Sequence, residues 1–373
     1  MLKAETCLEG WTAVSLLEKA GMDLVWFDSM GAKSASVVVS TSRGKVVVDP
    51  GVAEMQPSYP LPLEEKLALR RRAARKIEEA VLKAVAIFIT HYHYDHHMLP
   101  GDPDLERGGQ IWLGKTLVLK NPNMYINESQ WERSRLFIEE ILRLAGASIK
   151  TYTTEPGRTE FDDPVEKLGM ALSRDFGGYQ QRREELLRRG KRWFSRLAAE
   201  LWGRGPWIRE IVLKNKVVAT WGDGRVFEFG DTTIQALEPW FHGIEYDRTG
   251  WVLPLLVKRG SYRIFYTSDV MGPQIEDYAE YIAKIKPDVL ILDGPPTYLF
   301  PYMINRVNLK RAIDSAIVLV NSGIKLVIYD HHLLREKRWR ERVKPVFIEA
   351  RKTGAEVLTA AEYAGRRPLI DTL

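Results

Sequence analysis

Four of the chain's seven histidines fall within seven residues, His91-Tyr92-His93-Tyr94-Asp95-His96-His97, directly behind the apolar run VAIFI at 85–89. A short apolar run of that kind reads as a buried strand. The cluster therefore sits where the chain leaves a sheet edge and enters a loop. In extended backbone His91 and His93 point to the same side, so two imidazoles can grip one ion. Asp95 and His96 lie past the bend and can face a second ion beside the first. Nitrogen and carboxylate donors in this mixture suit zinc, manganese or iron rather than calcium. A surface histidine tract would not carry an aspartate at this spacing behind a buried strand.

The remaining histidines repeat the placement. His242, in Pro239-Trp240-Phe241-His242-Gly243, follows the apolar run at 234–237, and His331 and His332 follow Leu326-Val327-Ile328-Tyr329-Asp330. Asp269 closes the run Tyr266-Thr267-Ser268-Asp269, and Asp49 ends a valine-rich run at 45–48. Taken singly, each reads as an ordinary loop residue. In this order, one after each apolar strand, they describe strand ends that converge on one spot.

The rest of the pattern supports such a framework. Residues 34–41 and 45–48 flank Ser42-Arg43-Gly44, a hairpin signal, and further strands are expected at 116–120, 217–220, 225–229, 233–237, 251–258, 262–267, 289–292 and 325–329. Helices are expected at 63–81, 127–144 and 309–320, and around Ile275, Tyr278, Ile282 and Ile285. Residues 163–203 are polar and helical, broken at Gly177-Gly178, and read as an insertion or lid within a single domain spanning 1–373. Two strand-rich halves, each closed by helices, suggest two sheets packed face to face with helices outside. Gly222 and Gly224 in WGDGR read as a hairpin turn rather than a phosphate loop. Trp193, Trp202, Trp207 and Trp221 read as core or lid packing rather than as base-stacking residues.

Composition narrows the class. With 373 residues, 45% of them hydrophobic, the chain can bury a large core and is not a disordered polymer. Cys7 is the single cysteine, so no disulfide framework exists, and it reads as a packed residue. No stretch of about 18 uncharged apolar residues marks a membrane span. Glu5, Glu9 and Glu18 stand where a secretory signal would be basic and then apolar, which points to a cytoplasmic protein. The net charge of +5 comes from basic clusters at 70–76, 182–196 and 335–344. Each is interleaved with glutamates, as on solvated helix faces. A small-molecule or a nucleic-acid substrate is compatible with that balance, and homo-oligomer formation is left open.

The string Thr90-His91-x-His93-x-Asp95-His96, with Asp49 before it and His242, Asp269 and His331 after it, resembles the metallo-β-lactamase superfamily over roughly residues 25 to 335. Within it the chain resembles a mainly archaeal branch of predicted metal-dependent hydrolases. The similar stretches include Asp28-Ser29-Met30-Gly31, Val48-Asp49-Pro50-Gly51, Asp293-Gly294-Pro295-Pro296-Thr297-Tyr298 and Asp330-His331-His332-Leu333-Leu334-Arg335. The resemblance implies a mixed α/β fold, a four-layer αββα sandwich with a helical insertion. It assigns His91, His93 and His242 to one metal, and Asp95, His96 and one of His331 or His332 to a second, with Asp269 bridging. His331 is favoured because a histidine followed four residues later by Arg335 resembles the pattern of the tRNA-processing ribonucleases Z. Asp49 is implied as a brace for the histidine loop, with Asp330 in a similar supporting place. One departure is that His97 and Met98 stand where many relatives carry a small residue and a glycine.

Two divalent ions, zinc first with manganese or iron as alternatives, would lower the pKa of a shared water from about 15.7 toward 7. The activated water attacks a phosphorus or carbonyl carbon, so no serine or cysteine nucleophile is needed. Phosphodiesters, including RNA, and esters, lactones or thioesters all fit this hydrolase chemistry. Asp95, His97 and His332 are the catalytic candidates, with Tyr298 a further candidate for proton donor to the leaving group. Two rivals are an iron-dependent redox enzyme on the same fold and a metal-bearing binding protein without catalysis. Flavin-linked diiron relatives normally carry a glutamate where His93 stands, which weighs against the first.

Overall fold

Valine-rich strands around a tight turn begin the first sheet. In the computed structural model, which describes residues 15–214 and 216–373, β1 (Met22–Phe27), β2 (Ala35–Thr41) and β3 (Gly44–Val48) run antiparallel, with Val38 opposite Val47. Cys7, Glu5 and Glu9 lie outside the described residues. The sheet continues in parallel through β4 (Ala84–Ile89), β5 (Lys115–Leu119) and β7 (Val217–Trp221), and an antiparallel edge strand, β6 (Ile211–Leu213), finishes it. Its strand order is β1-β2-β3-β4-β5-β7-β6.

The second sheet has the same size and a matching plan. Its order is β8 (Val226–Phe229), β9 (Thr232–Ala236), β10 (Leu255–Arg259), β11 (Tyr262–Tyr266), β12 (Val289–Asp293), β13 (Leu326–Asp330) and β14 (Glu356–Leu358). The first four are antiparallel, and β11 through β14 pair in parallel. Period-2 alternation sends one face of each sheet inward. Val37, Val39, Val46, Val48 and Phe88 of the first sheet pack on Ile234, Val257, Ile264, Ile291 and Ile328 of the second. On the outer face of the first sheet lie α1 (Leu63–Leu82) and α2 (Glu128–Leu144), the latter started by the Asn127 side chain, which accepts from the Gln130 N–H. Against the second sheet lie α4 (Glu276–Ile285), α5 (Arg306–Asn321) and α6 (Lys344–Thr353). The expected αββα sandwich is the fold.

Three local expectations change. The segment 251–258 is not one strand: Trp251–Val252 pairs with Trp240–Phe241, and β10 begins only after Pro254, which has no N–H to give a ladder. The WGDGR turn is not a hairpin, since it carries the chain from β7 in one sheet to β8 in the other; Asp223 within it accepts from buried Lys120 and from the Asn121 N–H. The basic clusters are mostly solvated faces, but Arg70 is largely covered and paired with Asp102 and Asp104, and Arg183 and Arg335 are each 5% exposed and paired with buried acids. Residues 163–203 are helical, with α3 (Gln180–Arg196) the longest element, and Trp193 and Trp202 are buried in the core outside the second sheet. Among the described residues no helix is long and apolar enough to cross a membrane.

Candidate metal centre

In each sheet the strands that end near the histidines run the same way, so their C-terminal ends share one edge of the sandwich. Asp28 follows β1, Asp49 follows β3, His91 follows β4, Asp269 follows β11, Asp293 ends β12 and His331 follows β13. Three of these exits turn through left-handed backbone at a residue other than glycine: Asp49 at φ 47°, Ser268 at φ 52° and His331 at φ 62°. Such residues each cost about 1–3 kcal/mol and gather at functional sites. Gly51 lets the Asp49 loop lie against the histidine turn, since a Cβ there would stand 2.1 Å from the His97 nitrogen.

Seven side chains meet at this edge. His91, His93, His242 and Asp269 each offer a donor atom within 4.8 Å of the others, and so do Asp95, His96, Asp269 and His331. Asp269 belongs to both groups, one oxygen toward each. Its Oδ2 is 3.5 Å from His91 Nε2 and 3.2 Å from His242 Nε2. Its Oδ1 is 2.9 Å from His96 Nε2 and 3.2 Å from His331 Nε2. Contacts within the group leave it incomplete: His91 Nε2 meets His93 Nδ1 at 3.1 Å and His96 Nε2 meets His331 Nε2 at 3.3 Å, but among the described residues both Asp269 oxygens and both His242 ring nitrogens are buried with no hydrogen-bond partner. Buried polar atoms are rarely left so. Buried donors that converge on shared points and are left partly unsatisfied are the arrangement a cation completes, and the donor set is of the kind that holds zinc, manganese or iron.

A model of the metallo-beta-lactamase superfamily matches residues 31–97, from the loop ahead of β2 to the last histidine of the turn. A UPF0282 protein of Korarchaeum cryptofilum is 29% identical over 340 residues, 91% of this chain and 87% of that protein. A second UPF0282 protein, from Methanopyrus kandleri, is 28% identical over 346 residues, 91% of this chain and 92% of its own. Over residues 31–97 the chain is thus similar to the metallo-beta-lactamase superfamily, and over nine-tenths of its length to UPF0282 proteins. Among solved structures, the metallo-beta-lactamase fold protein YhfI from Bacillus subtilis overlaps 91% of this chain and 95% of its own, at 10% identity and a TM-score of 0.38.

Beyond the converging atoms, the centre has an outer layer of carboxylates. Asp49 Oδ2 lies 2.9 Å from His96 Nδ1 and also accepts from Thr90 Oγ1 and Tyr266 OH. Asp28 Oδ1 lies 2.8 Å from His331 Nδ1, and its other oxygen accepts from Arg335 Nε at 2.6 Å. Asp293 Oδ1 lies 2.9 Å from His332 Nδ1. A carboxylate at Nδ1 fixes the proton there and leaves Nε2 to face the centre. Asp330 does not touch a ring: it accepts from the backbone N–H groups of Ser29, His331 and Ala360 and so pins the turn that carries His331. Asp28 and Asp293 had no assigned role in the sequence reading. The signal that singled out Asp49 and Asp269, an aspartate where an apolar strand ends, applies to both.

Electrostatics separate the members. Burial opposes charge on Asp269, yet His96, His331 and His91 outweigh it and hold the carboxyl well below the usual range. Burial likewise opposes Asp28, and Arg335 and His331 outweigh it. Burial, with His96 beside it, pushes His91 down to about 4. For His96 burial is overcome by Asp269 and Asp49, which hold it up at about 10. Burial and the nearby Asp269 push Asp293 up to about 7.

The predicted residues do not all gather. His97 leaves the centre: the turn closes with its N–H on the His93 carbonyl, and its ring packs edge-on to Phe137. Burial pushes His97 down to about 3, and its Nδ1 lies 2.9 Å from the His93 carbonyl. His332 Nε2 stands 4.0 Å from Asp269 Oδ2, in the wall of the centre. The Tyr298 hydroxyl lies 3.4 Å from Arg335 Nη1, whose other nitrogen Nη2 is 3.3 Å from Asp95. A cavity of about 530 Å³ lies between Tyr125, Asp223 and Trp240, and none of the converging residues lines it.

Proposed function

We propose that this chain is a metal-dependent hydrolase working with two divalent cations, zinc by preference and manganese or iron as alternatives. The reading rests above all on Asp269, whose two buried oxygens lack hydrogen-bond partners and each face two imidazole nitrogens. His91, His93, His242 and Asp269 would hold one cation, and Asp95, His96, His331 and Asp269 the other. Bound there, such cations supply Lewis acidity, activating a water for attack and stabilising the negative charge that develops on the substrate.

The chain's own residues do the rest. Asp49 and Asp28 keep Nδ1 of His96 and His331 protonated, so that each ring presents Nε2 inward. Arg335, tied to Asp28 and Asp95, fixes the Asp95 carboxylate at the partly open side of the centre. His332, oriented by Asp293, is the substrate contact in the wall of the centre, and His97, packed on Phe137, takes no part. The bond cleaved is a phosphodiester, as in RNA, or an ester, lactone or thioester.

Purified protein reconstituted with zinc, manganese or iron should bind two equivalents and cleave at least one member of a panel of phosphodiesters, lactones and thioesters. Metal content under half an equivalent after reconstitution would overturn the reading. Two bound equivalents with no turnover across the panel would leave a metal-bearing binding protein, and an oxygen-sensitive iron absorption band with redox turnover would favour the iron enzyme.

A further inference from the structure

His242 differs from the other histidines of the centre in having no hydrogen-bond partner at either ring nitrogen. No hydrogen bond orients its ring, which packs against His91, His93 and His332, so its placement follows the backbone of residues 242–250. Inside that loop the ties are local: Thr249 Oγ1 donates to the His242 carbonyl at 2.7 Å, and the His242 N–H reaches the Gly250 carbonyl at 3.0 Å. The loop is in turn held from outside by the helical segment 163–203.

That grip has three parts. Glu245, buried, accepts from Arg183 Nη2 of α3 at 3.0 Å and from both terminal nitrogens of Arg311 of α5. Tyr246, held in left-handed backbone at φ 59°, donates its hydroxyl to Asp163 and packs on Gly190. A Cβ at position 190 would stand 2.5 Å from Tyr246 Cβ, so only glycine permits this approach. At the far end of the loop, Trp193 stacks on Trp251 with ring centres 5.5 Å apart and planes 6° from parallel.

We infer that the segment 163–203 is a fixed support for His242 rather than a moving lid, and that Arg183 and Tyr246 are positioning residues for the cation half containing His91, His93 and His242. This rests on the two-cation reading above. Removing the Arg183 grip should loosen that half alone, because His96 and His331 are held by their own carboxylates.

The test is titration of metal-free full-length protein with cobalt(II), following both calorimetric heat and the visible ligand-field bands, for wild type, Arg183→Met, Tyr246→Phe and, as reference, His242→Ala. Arg183→Met leaves Glu245 paired with Arg311, and Tyr246→Phe removes a single oxygen, so a folding failure of the first still leaves the second to decide. The expected result is two equivalents for wild type. In each variant one site should weaken by about 10- to 100-fold, as outer supports typically do, with the bands shifted toward those of His242→Ala. Two wild-type affinities in both variants, or an equal loss at both sites, would overturn the inference. Fewer than two equivalents in the wild type would instead overturn the two-cation reading, and this inference with it.

Discussion

The two halves of the centre share Asp269 but are held by different means. On one side, His96 and His331 each give Nδ1 to a buried aspartate, at 2.9 and 2.8 Å, and Asp28 is itself locked by Arg335. On the other, His91 Nδ1 has only hydroxyls nearby, Thr90 at 3.3 Å and Ser268 at 3.4 Å, and His242 has nothing. Charge-assisted bonds of the first kind are shorter and roughly twice as strong as neutral ones. The first side is therefore preorganised by charge, and the second by packing and by the support under its loop. Binding should follow that order, with the His96 and His331 side filling first in a metal titration.

The largest expected effect removes what the two sides share. Asp269→Ala takes away a donor to each half and the one negative charge between them. Metal content should fall below half an equivalent and hydrolysis to background, a larger loss than the ~10- to 100-fold typical of an outer brace. Retention of either cation by Asp269→Ala, measured by elemental analysis, would show that one half stands alone.

Next come the adjacent histidines. His331→Ala should lose the cation of the braced half. His332→Ala should keep both and lose rate. The opposite metal contents in the two variants would exchange their roles. Neighbouring residues at a strand exit point apart, so the sequence could narrow the choice to this pair but not rank its members by periodicity. The Arg335 spacing leaned toward His331, and the structure places His331, with Asp95 and His96, beside Asp269.

How much of this was legible in sequence follows from the same physics. β-Branched runs announced most strands of both sheets, because short length, β-branching and flanking turn residues favour strand over helix. The edge strands β6 and β14, three residues each, were too short to show a pattern. The break at Pro254 escaped because apolar residues continue on both sides of it. Site residues at strand exits were visible for the reason given above. The pairing of Asp28 with His331, 303 positions apart, was not, since only the folded topology brings those strand ends together. His97 misled by adjacency: within a tight turn, the next residue along can face the opposite way.

The support under the unbraced half should show itself in acid. Burial works to raise Glu245, but Arg311 and Arg183 outweigh it and hold its carboxyl below the usual range. Its folded pKa thus lies below its unfolded one. Its contribution is complete above the unfolded value, about 4.3, and fades as pH falls through the folded value. Glu245→Gln should cost about 3–5 kcal/mol near neutral pH, as breaking a buried ion pair does. The difference from wild type in metal-free melting should shrink as the pH drops below 4.3, toward the folded pKa. A difference that stays constant down to acid pH would mean that the charge on Glu245 is not what holds the loop.

Smaller effects compare the braces directly. Asp49→Asn and Asp28→Asn should each weaken the cation of the braced half by about 10- to 100-fold and leave the other half near its wild-type affinity. Metal titration read alongside the melting temperature separates this from general unfolding. Asp49 also accepts from Thr90 and Tyr266, so its variant should lose some fold stability as well. If the melting temperature collapses in both metal-free and loaded protein, Asp49 is a structural residue first.

The smallest effect is expected where the unbraced half has its only polar neighbours. Ser268 Oγ is 3.4 Å from His91 Nδ1 and 2.6 Å from Thr90 Oγ1, while Thr90 Oγ1 itself donates to Asp49. In Ser268→Ala the His91 ring keeps Thr90 at 3.3 Å, so the change removes two neutral hydrogen bonds, to Thr90 and to His91, each worth about 0.5–1.5 kcal/mol of stability. The left-handed backbone at φ 52° adds little to the difference, because serine and alanine both carry a Cβ and meet the same clash there. Cation affinity at the His91, His93 and His242 half should therefore stay within a few-fold of wild type. A loss of about 10- to 100-fold at that half, the size expected of a carboxylate brace, would show that a hydroxyl holds His91 as firmly as an aspartate holds His96, and the contrast between the two halves would fail.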